Sequence, residues 1–449
     1  MAEKKMSQYE KLTQTPVPKL IITLSIPTVL SMLVTNIYNL ADTAFVGQLG
    51  NSASGAVGIV FGFMSIIQSF GFMFGQGGGS MLSRMLGAKK NDDATKTAST
   101  GFFSAFIMGL IISLVTFAFL DKVVMFLGST DTIAPYAKTY IRYILVAAPF
   151  MTASFSLNNF LRYEGKASLG MVGLMTGGFL NIIGDPIFMF ALKMGIAGAG
   201  LSTMLSQMVS FSILLYMFLS GNTTSKLSLK EFNARLIPDI ATTGLPSLLR
   251  QGLGSVATII LNYLAGSYGD EAVAAMSIVS RISFFIFAIA LGIGQGYQPV
   301  AAFNFGAKKY ERVRQGFWFT FLLGEGLMTV GLIFVFIFSG SLISVFRNDA
   351  TVIEIGTRAL RLHCGALFFL PLTMVTEMLF QSTGHRFGAS FLSACRSGVF
   401  FVPLLIILEH FRGLYGIQEA QPLAYVLTFL PALFFALWLL KRLDNNQKV

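Results

Sequence analysis

An all-α integral membrane fold, with twelve transmembrane helices in two six-helix lobes, is predicted by three features of the sequence. Hydrophobic residues make up 54% of the 449 positions and charged residues only 12%, with a mean hydropathy of +0.69. A soluble domain carries about 25% charged residues, so this chain lacks the polar surface to face water on all sides. Apolar runs such as Phe102 to Leu120 and Leu427 to Leu440 recur along nearly the whole chain, many close to the roughly 20 residues that cross a bilayer core of about 30 Å. The sequence also aligns with itself, Pro27 falling on Pro246 and the register holding for tens of residues beyond.

Taken in order, the polar segment 1–19 lacks the short apolar core and small-residue cleavage site of a secretory signal, and is expected as a cytoplasmic segment ahead of the first span. Turn residues between apolar runs place six spans at about 20–44, 55–80, 97–120, 137–161, 168–192 and 196–219, the first lobe thus covering 20–219. The longest polar stretch inside the chain, 220–238, reads as a cytoplasmic linker. Six further spans at about 239–264, 275–301, 315–338, 357–381, 387–408 and 421–441 make the second lobe, 239–441, followed by a cytoplasmic tail at 442–449. Lys89, Lys90, Arg162, Lys166, Lys226, Lys230, Arg235, Lys308, Lys309, Arg312 and Arg314 gather in one set of loops, while the opposite set, with Lys122, Lys193, Arg347 and Arg412, is poorer. Basic loops stay in the cytoplasm, so both termini are expected there, in a multi-pass protein of the cell (inner) membrane. The net charge of +11 therefore reports orientation and not a nucleic-acid partner.

The self-alignment carries the most information. Pro27 meets Pro246, Gly47 meets Gly266, Gly50 meets Gly269, and Gly75 to Gly77 meet Gly294 to Gly296. The GAKK segment at Gly87 to Lys90 meets its copy at Gly306 to Lys309, and Gly165 meets Gly384. Six spans per half is an even number, so both halves enter the membrane in the same sense, as parallel repeats do.

Several motifs are set aside. The glycines of Gly75 to Ser80 lack the Gly-Lys-Ser/Thr ending of a phosphate loop and are assigned to close helix packing. His363, His385 and His410 show no ligand spacing, and Cys364 and Cys395 read as apolar core residues. No cofactor is expected.

Ionisable groups within spans are costly, about 2.5–3.5 kcal/mol at the bilayer centre, and mark pathways or paired networks. In the first half two acids lie deep, Asp42 and Asp185. Asp42 lies toward the outer end of the first span, above Pro27, which is expected to bend that helix. Asp185, in the fifth span, shares a helical face with Asn181 four residues earlier, and Thr203 near the start of the sixth span lies at comparable depth. Two carboxylates, an amide and a hydroxyl in a poorly hydrated site either hold a hard cation such as Na⁺ or share a proton. The second half places Leu261 opposite Asp42, and Phe400 and Leu404 opposite Asn181 and Asp185; a bracing role inherent to the fold would appear in both halves. The second half has ions of its own, Arg250, Arg281, Glu325, Glu377 and Arg396, for which mutual pairing is expected. Glu377, with Asn39 and Arg250, is a candidate for a substrate cavity, an acid there attracting cationic drugs. The 44 Phe and 21 Met suit a cavity that accepts varied amphipathic molecules.

These residues resemble the multidrug and toxic compound extrusion (MATE) family over essentially the whole chain: twelve spans in two lobes, the proline in the first helix, the segment Ala41 to Gly50, the paired GQG and GAKK segments, and Leu180 to Phe188. The resemblance implies a cation site in the first lobe, with Asp42, Asn181, Asp185 and Thr203 as its residues, able to hold H⁺ or Na⁺. It also implies a part for Tyr140, which by itself would count only as an interfacial aromatic. NorM-like members carry a glutamate in the seventh span and an aspartate just after the glycine corresponding to Gly384; here Gly254 and Phe387 stand in those regions. The chain is therefore similar to the DinF-like or staphylococcal exporter branch. The expected function is antiport, exporting organic, mainly cationic amphipathic compounds against inward H⁺ or Na⁺, by a monomer that is not an enzyme. A lipid-linked saccharide flippase is the nearest alternative. An intramembrane aspartyl protease is more remote, because its Tyr-Asp and Gly-x-Gly-Asp signatures are absent.

Overall fold

The computed structural model describes residues 7–447, and among the described residues every element is helical. After a short helix α1 (Gln8–Gln14), the first half runs through α2 (Val17–Gly47), α3 (Asn51–Gly87), α4 (Asn91–Ala118), the short α5 (Leu120–Phe126), α6 (Ala134–Tyr163), α7 (Ala167–Pro186) and α8 (Ile196–Met217). The second half follows as α9 (Ile237–Gly266), α10 (Asp270–Gly306), α11 (Tyr310–Ile337), the short α12 (Ser339–Phe346), α13 (Ala350–Leu367), α14 (Leu370–Thr383), α15 (Arg386–Ala394), α16 (Phe401–Arg412) and α17 (Leu414–Gln447). Each expected span is met by one helix or by a pair in sequence. Ten are long and apolar enough to cross a membrane, and α13 with α14, bent by 51°, would make an eleventh. The remaining long helix is α9, 30 residues with Arg250 and Gln251 near its centre. Large apolar side chains such as Leu114, Val330 and Leu430 stand exposed on the outside, as lipid-facing surfaces require.

The duplication reaches the backbone. Gly50 and Gly269, which precede α3 and α10, adopt φ of 111° and 101°. Gly165 and Gly384 adopt 77° and 85°, and Lys89 and Lys308 in the two GAKK segments adopt 60° and 57°. A lysine with positive φ is uncommon; here the following amide, Lys90 N or Lys309 N, bonds the carbonyl of Met85 or Asn304, a helix ending in which the left-handed residue satisfies orphan carbonyls.

Two compact units emerge. One holds residues 1–12 and 30–248, the other 13–29 and 249–449, so α2 changes unit after Val29 and α9 after Leu248, each two residues beyond its proline. In the first unit a Cβ on Gly77 would collide with the Ile240 carbonyl oxygen, and one on Gly244 with the Met73 carbonyl oxygen. In the second unit a Cβ on Gly296 would collide with Ser25 Oγ, and one on Gly292 would come within 2.5 Å of Val29. The glycines of the GQG segments therefore admit neighbouring backbones, the packing use of small residues in membranes. The 220–238 stretch is laid along the first unit, with Ser228 N donating to Ser99 Oγ (3.0 Å), Asn233 N to Thr100 Oγ1 (3.1 Å) and Thr224 N to Glu164 Oε2 (2.7 Å).

Gly244→Ala is expected to cost about 1–3 kcal/mol by overpacking this crossing, lowering the melting temperature of the purified protein. Gly252→Ala, which meets open space, provides the control with no such loss. Equal midpoints for the two variants would show that the α3–α9 crossing does not need a bare backbone.

Candidate functional site

Four helices of the first unit carry one polar cluster. Asn181 and Asp185 lie one turn apart on α7, and Asn181 Nδ2 donates to Asp185 Oδ1 at 3.1 Å. The same amide nitrogen reaches Thr203 Oγ1 at 3.2 Å and Ser202 Oγ at 3.4 Å on α8, while Ser202 Oγ donates back to the Asn181 carbonyl at 3.3 Å. From α6, the Tyr140 hydroxyl donates to Asp42 Oδ2 on α2 at 3.4 Å and lies 3.5 Å from Thr203 Oγ1. Asp42 and Asp185 come within hydrogen-bonding reach of each other. All five residues expected at a cation site are therefore brought together, with Tyr140 central among them.

Local backbone makes this convergence feasible. A Cβ on Gly184 would stand 2.5 Å from Ser202 Oγ, and one on Gly198 2.6 Å from the Phe188 backbone, so bare positions on α7 and α8 let those helices close up beside Asp185. Directly after Pro186 the helix widens into a π-helical turn, Ile187–Ala191, a local change of winding common beside functional residues.

Asp185 is fully buried, and Asn181, Thr203 and Tyr140 are nearly so. Asp42 is half-buried as a residue, yet its Oδ1 is sequestered. Among the described residues Asp42 Oδ1 and Asp185 Oδ2 are buried and accept no hydrogen bond. Buried acceptors are normally satisfied, so two idle carboxylate oxygens in one cluster call for a proton or a small cation. The residues present fit Na⁺ as well: two carboxylates and the hydroxyls of Thr203 and Tyr140 are hard oxygen donors. Sequence reading missed Ser202, and also Tyr38, whose hydroxyl bonds Gln207 and whose ring packs on Gly178. Tyr38 lies one helical turn before Asp42, a spacing that could have revealed it.

Among the described residues, the second unit has no counterpart to this cluster at the matching positions. Leu261, matching Asp42, is a buried member of a hydrophobic core, and Phe400 and Leu404, matching Asn181 and Asp185, pack against it.

Three expectations for the second half are corrected. Glu377 does not offer an uncompensated negative charge: it is fully buried, bonded by Arg250 Nη1 at 2.5 Å and approached by Arg396 Nη1 at 3.7 Å. Arg281 is exposed, on the same side of α10 as Phe284 one turn on, and so is not among the buried ions. Glu325 is half-buried on α11 with its Oε1 lacking a hydrogen-bond partner among the described residues, so mutual pairing does not extend to it. Asn39, half-buried on α2, lies three residues before Asp42.

Comparison with known proteins bears on the whole chain. The MatE family profile matches residues 27–187 and 246–407, two stretches that start at Pro27 and Pro246 and repeat the register of the self-alignment. The chain is 28% identical to the multidrug export protein MepA of Staphylococcus aureus (strain N315) over 460 aligned positions, covering all of both chains. It is 26% identical to MepA of Staphylococcus haemolyticus (strain JCSC1435) over 94% of each. Among solved structures it is similar to a MATE protein in complex with MaL6, with a TM-score of 0.91, 26% identity and coverage of 99% of this chain and 100% of that one. A multidrug resistance MATE family transporter of the MOP superfamily in an outward-facing conformation matches with a TM-score of 0.90 at the same identity and coverage. Matched in both halves and over most of its length, the chain belongs to the MatE family of membrane multidrug efflux transporters.

Proposed function

We propose that the chain exports organic, mainly cationic amphipathic compounds across the cell membrane in exchange for protons, with Asp42 and Asp185 as the pair that loads and unloads the proton. The observation that carries this reading is the pair of buried carboxylates within reach of each other, each keeping one oxygen without a hydrogen bond. Two carboxylates this close do not both stay ionised easily, so a proton held between them relieves repulsion and fills an idle acceptor. Asn181 supports H⁺ over Na⁺: it presents its NH₂ group to the cluster, whereas a metal ion needs the carbonyl oxygen turned inward.

In this scheme the proton enters from outside, because α2 and α7 begin on the cytoplasmic side and carry Asp42 and Asp185 into the outer half of their lobe. Loading favours release of the compound outward, and unloading toward the cytoplasm accompanies reloading. One charge crossing 100 mV supplies about 2.3 kcal/mol, enough for roughly a fifty-fold gradient of a neutral compound. The monomer suffices, with both termini in the cytoplasm. The transporter family leaves no place for the protease reading.

With purified protein in liposomes, ethidium, a permanent cation, is expected to move toward the more acidic compartment under a pH gradient and to stay put under an Na⁺ gradient alone. Motion driven by Na⁺ alone would transfer the cluster to sodium, and movement of a lipid-linked saccharide without ethidium would replace efflux by flipping. Asp42→Asn is expected to reduce gradient-driven transport at least about tenfold, the cost of more than 1.4 kcal/mol at the coupling step, with protein yield maintained; normal transport by that variant removes Asp42 from the scheme. Tyr140→Phe deletes one hydrogen bond of about 1 kcal/mol, and a loss of roughly fivefold is expected in the same assay.

A further inference from the structure

Where α11 ends and α13 begins, the second unit bounds an open cavity of about 540 Å³, within the roughly 300–1,000 Å³ of small-molecule sites. Its polar wall is one face of α13: Glu354, Thr357, Arg358 and Arg361 follow one another at the i, i+3, i+4, i+7 spacing of a helical stripe. Phe336, in the last turn of α11, joins Ile353 and Leu362 of α13 as the apolar wall.

The fold uses only part of that polar face. Arg358 is engaged: its Nη2 stands 3.4 Å from Oε1 of Glu419, whose Oε2 is taken by Arg412, and its guanidinium lies 3.7 Å from the centre of the Tyr415 ring. Arg361 donates from Nε to Ser339 Oγ at 3.0 Å and lies 5.3 Å from the centre of the Phe336 ring. Among the described residues no acid pairs with Arg361, no basic group pairs with Glu354, and the buried Oγ1 of Thr357 has no hydrogen-bond partner. Buried hydroxyls are normally bonded. An idle one between an unpaired guanidinium and an unpaired carboxylate therefore marks a place for a group that carries both signs of charge.

The surroundings identify the source of that group. Phe336 is exposed, as are Ile333 and Ile337 on the same helix, so the apolar wall runs on into the surface that faces lipid. The cavity also lies at the end of one membrane-crossing helix and the start of the next, the level at which head groups meet a protein. We propose that it holds the head group of phosphatidylethanolamine, with the phosphate against Arg361 and Thr357, the ammonium against Glu354, and the acyl chains leaving along Phe336 and Leu362. A guanidinium matches phosphate in shape as well as in charge. A soluble phosphate would leave the apolar wall bare, and a head group without an amine would set Glu354 against an anion. This lipid site is independent of the proton scheme, and either stands without the other.

Native mass spectrometry of the purified full-length protein, titrated with phosphatidylethanolamine and phosphatidylglycerol, tests it. The wild type is expected to take phosphatidylethanolamine as its first retained lipid, about tenfold more tightly than phosphatidylglycerol. Arg361→Gln is expected to weaken that retention about tenfold, and Arg361→Lys, which keeps a charge able to bind phosphate, to preserve most of it. Glu354→Gln is expected to abolish the preference between the two lipids. Both side chains are exposed, so the variants should fold, and an unchanged melting temperature in detergent checks this. Equal retention of the two lipids by the wild type overturns the head-group assignment, and retention indifferent to Arg361→Gln overturns the cavity as its site. Displacement of the lipid by millimolar inorganic phosphate overturns the lipid source.

Discussion

A charge or an unpaired polar atom inside hydrocarbon has no water to turn to, so each must find its partner within the protein or take one from outside. The two halves answer this constraint in opposite ways on one backbone plan. In the first, Asp42 and Asp185 are given neutral partners, an amide and hydroxyls, and no cation. A carboxylate supported only by neutral donors keeps its affinity for a proton or a metal ion. In the second, Glu377 is set between two guanidiniums, which balance its charge. A carboxylate thus stands among neutral donors in one lobe and between two guanidiniums in the other.

Duplication makes this divergence informative. The glycine and lysine positions that need a left-handed backbone are matched between the halves, as are the bare helix positions at which Gly77 and Gly296 admit a neighbouring backbone. These features belong to the fold and persist in both copies. Asp42, Asn181 and Asp185 do not persist: Leu261, Phe400 and Leu404 fill the equivalent places with apolar packing. Bracing the helices at these places therefore does not require the acids, which supports the proposed part in ion exchange.

The spans and the repeat were legible in the sequence because both are one-dimensional signals: apolar length against bilayer thickness, and register between two halves. Asp42 and Asp185 were legible because a lone acid in an apolar window stands out. Contacts between helices were not. Nothing in the spacing of Glu377, Arg250 and Arg396 shows that three distant segments meet, and so Glu377 reads as an open acid until the helices are packed. Ser202 hides beside Thr203 because serine is ordinary in tightly packed membrane helices. Tyr140 carried no signal of its own, since a tyrosine near a span end is usually an interfacial anchor; the family resemblance, not the residue pattern, pointed to it. The break between α13 and α14 was read as one continuous span because both pieces are apolar, although Pro371 in the first turn of α14 marked it.

For ion binding to drive export it must favour one conformation over another, since a ligand with equal affinity for two states shifts nothing. The helix that carries Asp42 is suited to that demand. Its first turns pack in one compact unit and the remainder in the other, and the changeover follows Pro27 by two residues. A proline removes one backbone hydrogen bond and crowds the turn before it, which weakens a helix at a defined point. On the proposed proton reading, a charge change at Asp42 would alter how the upper part of α2 is held by Tyr140 on α6, while the lower turns keep the approach of Ser25 and Val29 to Gly296 and Gly292.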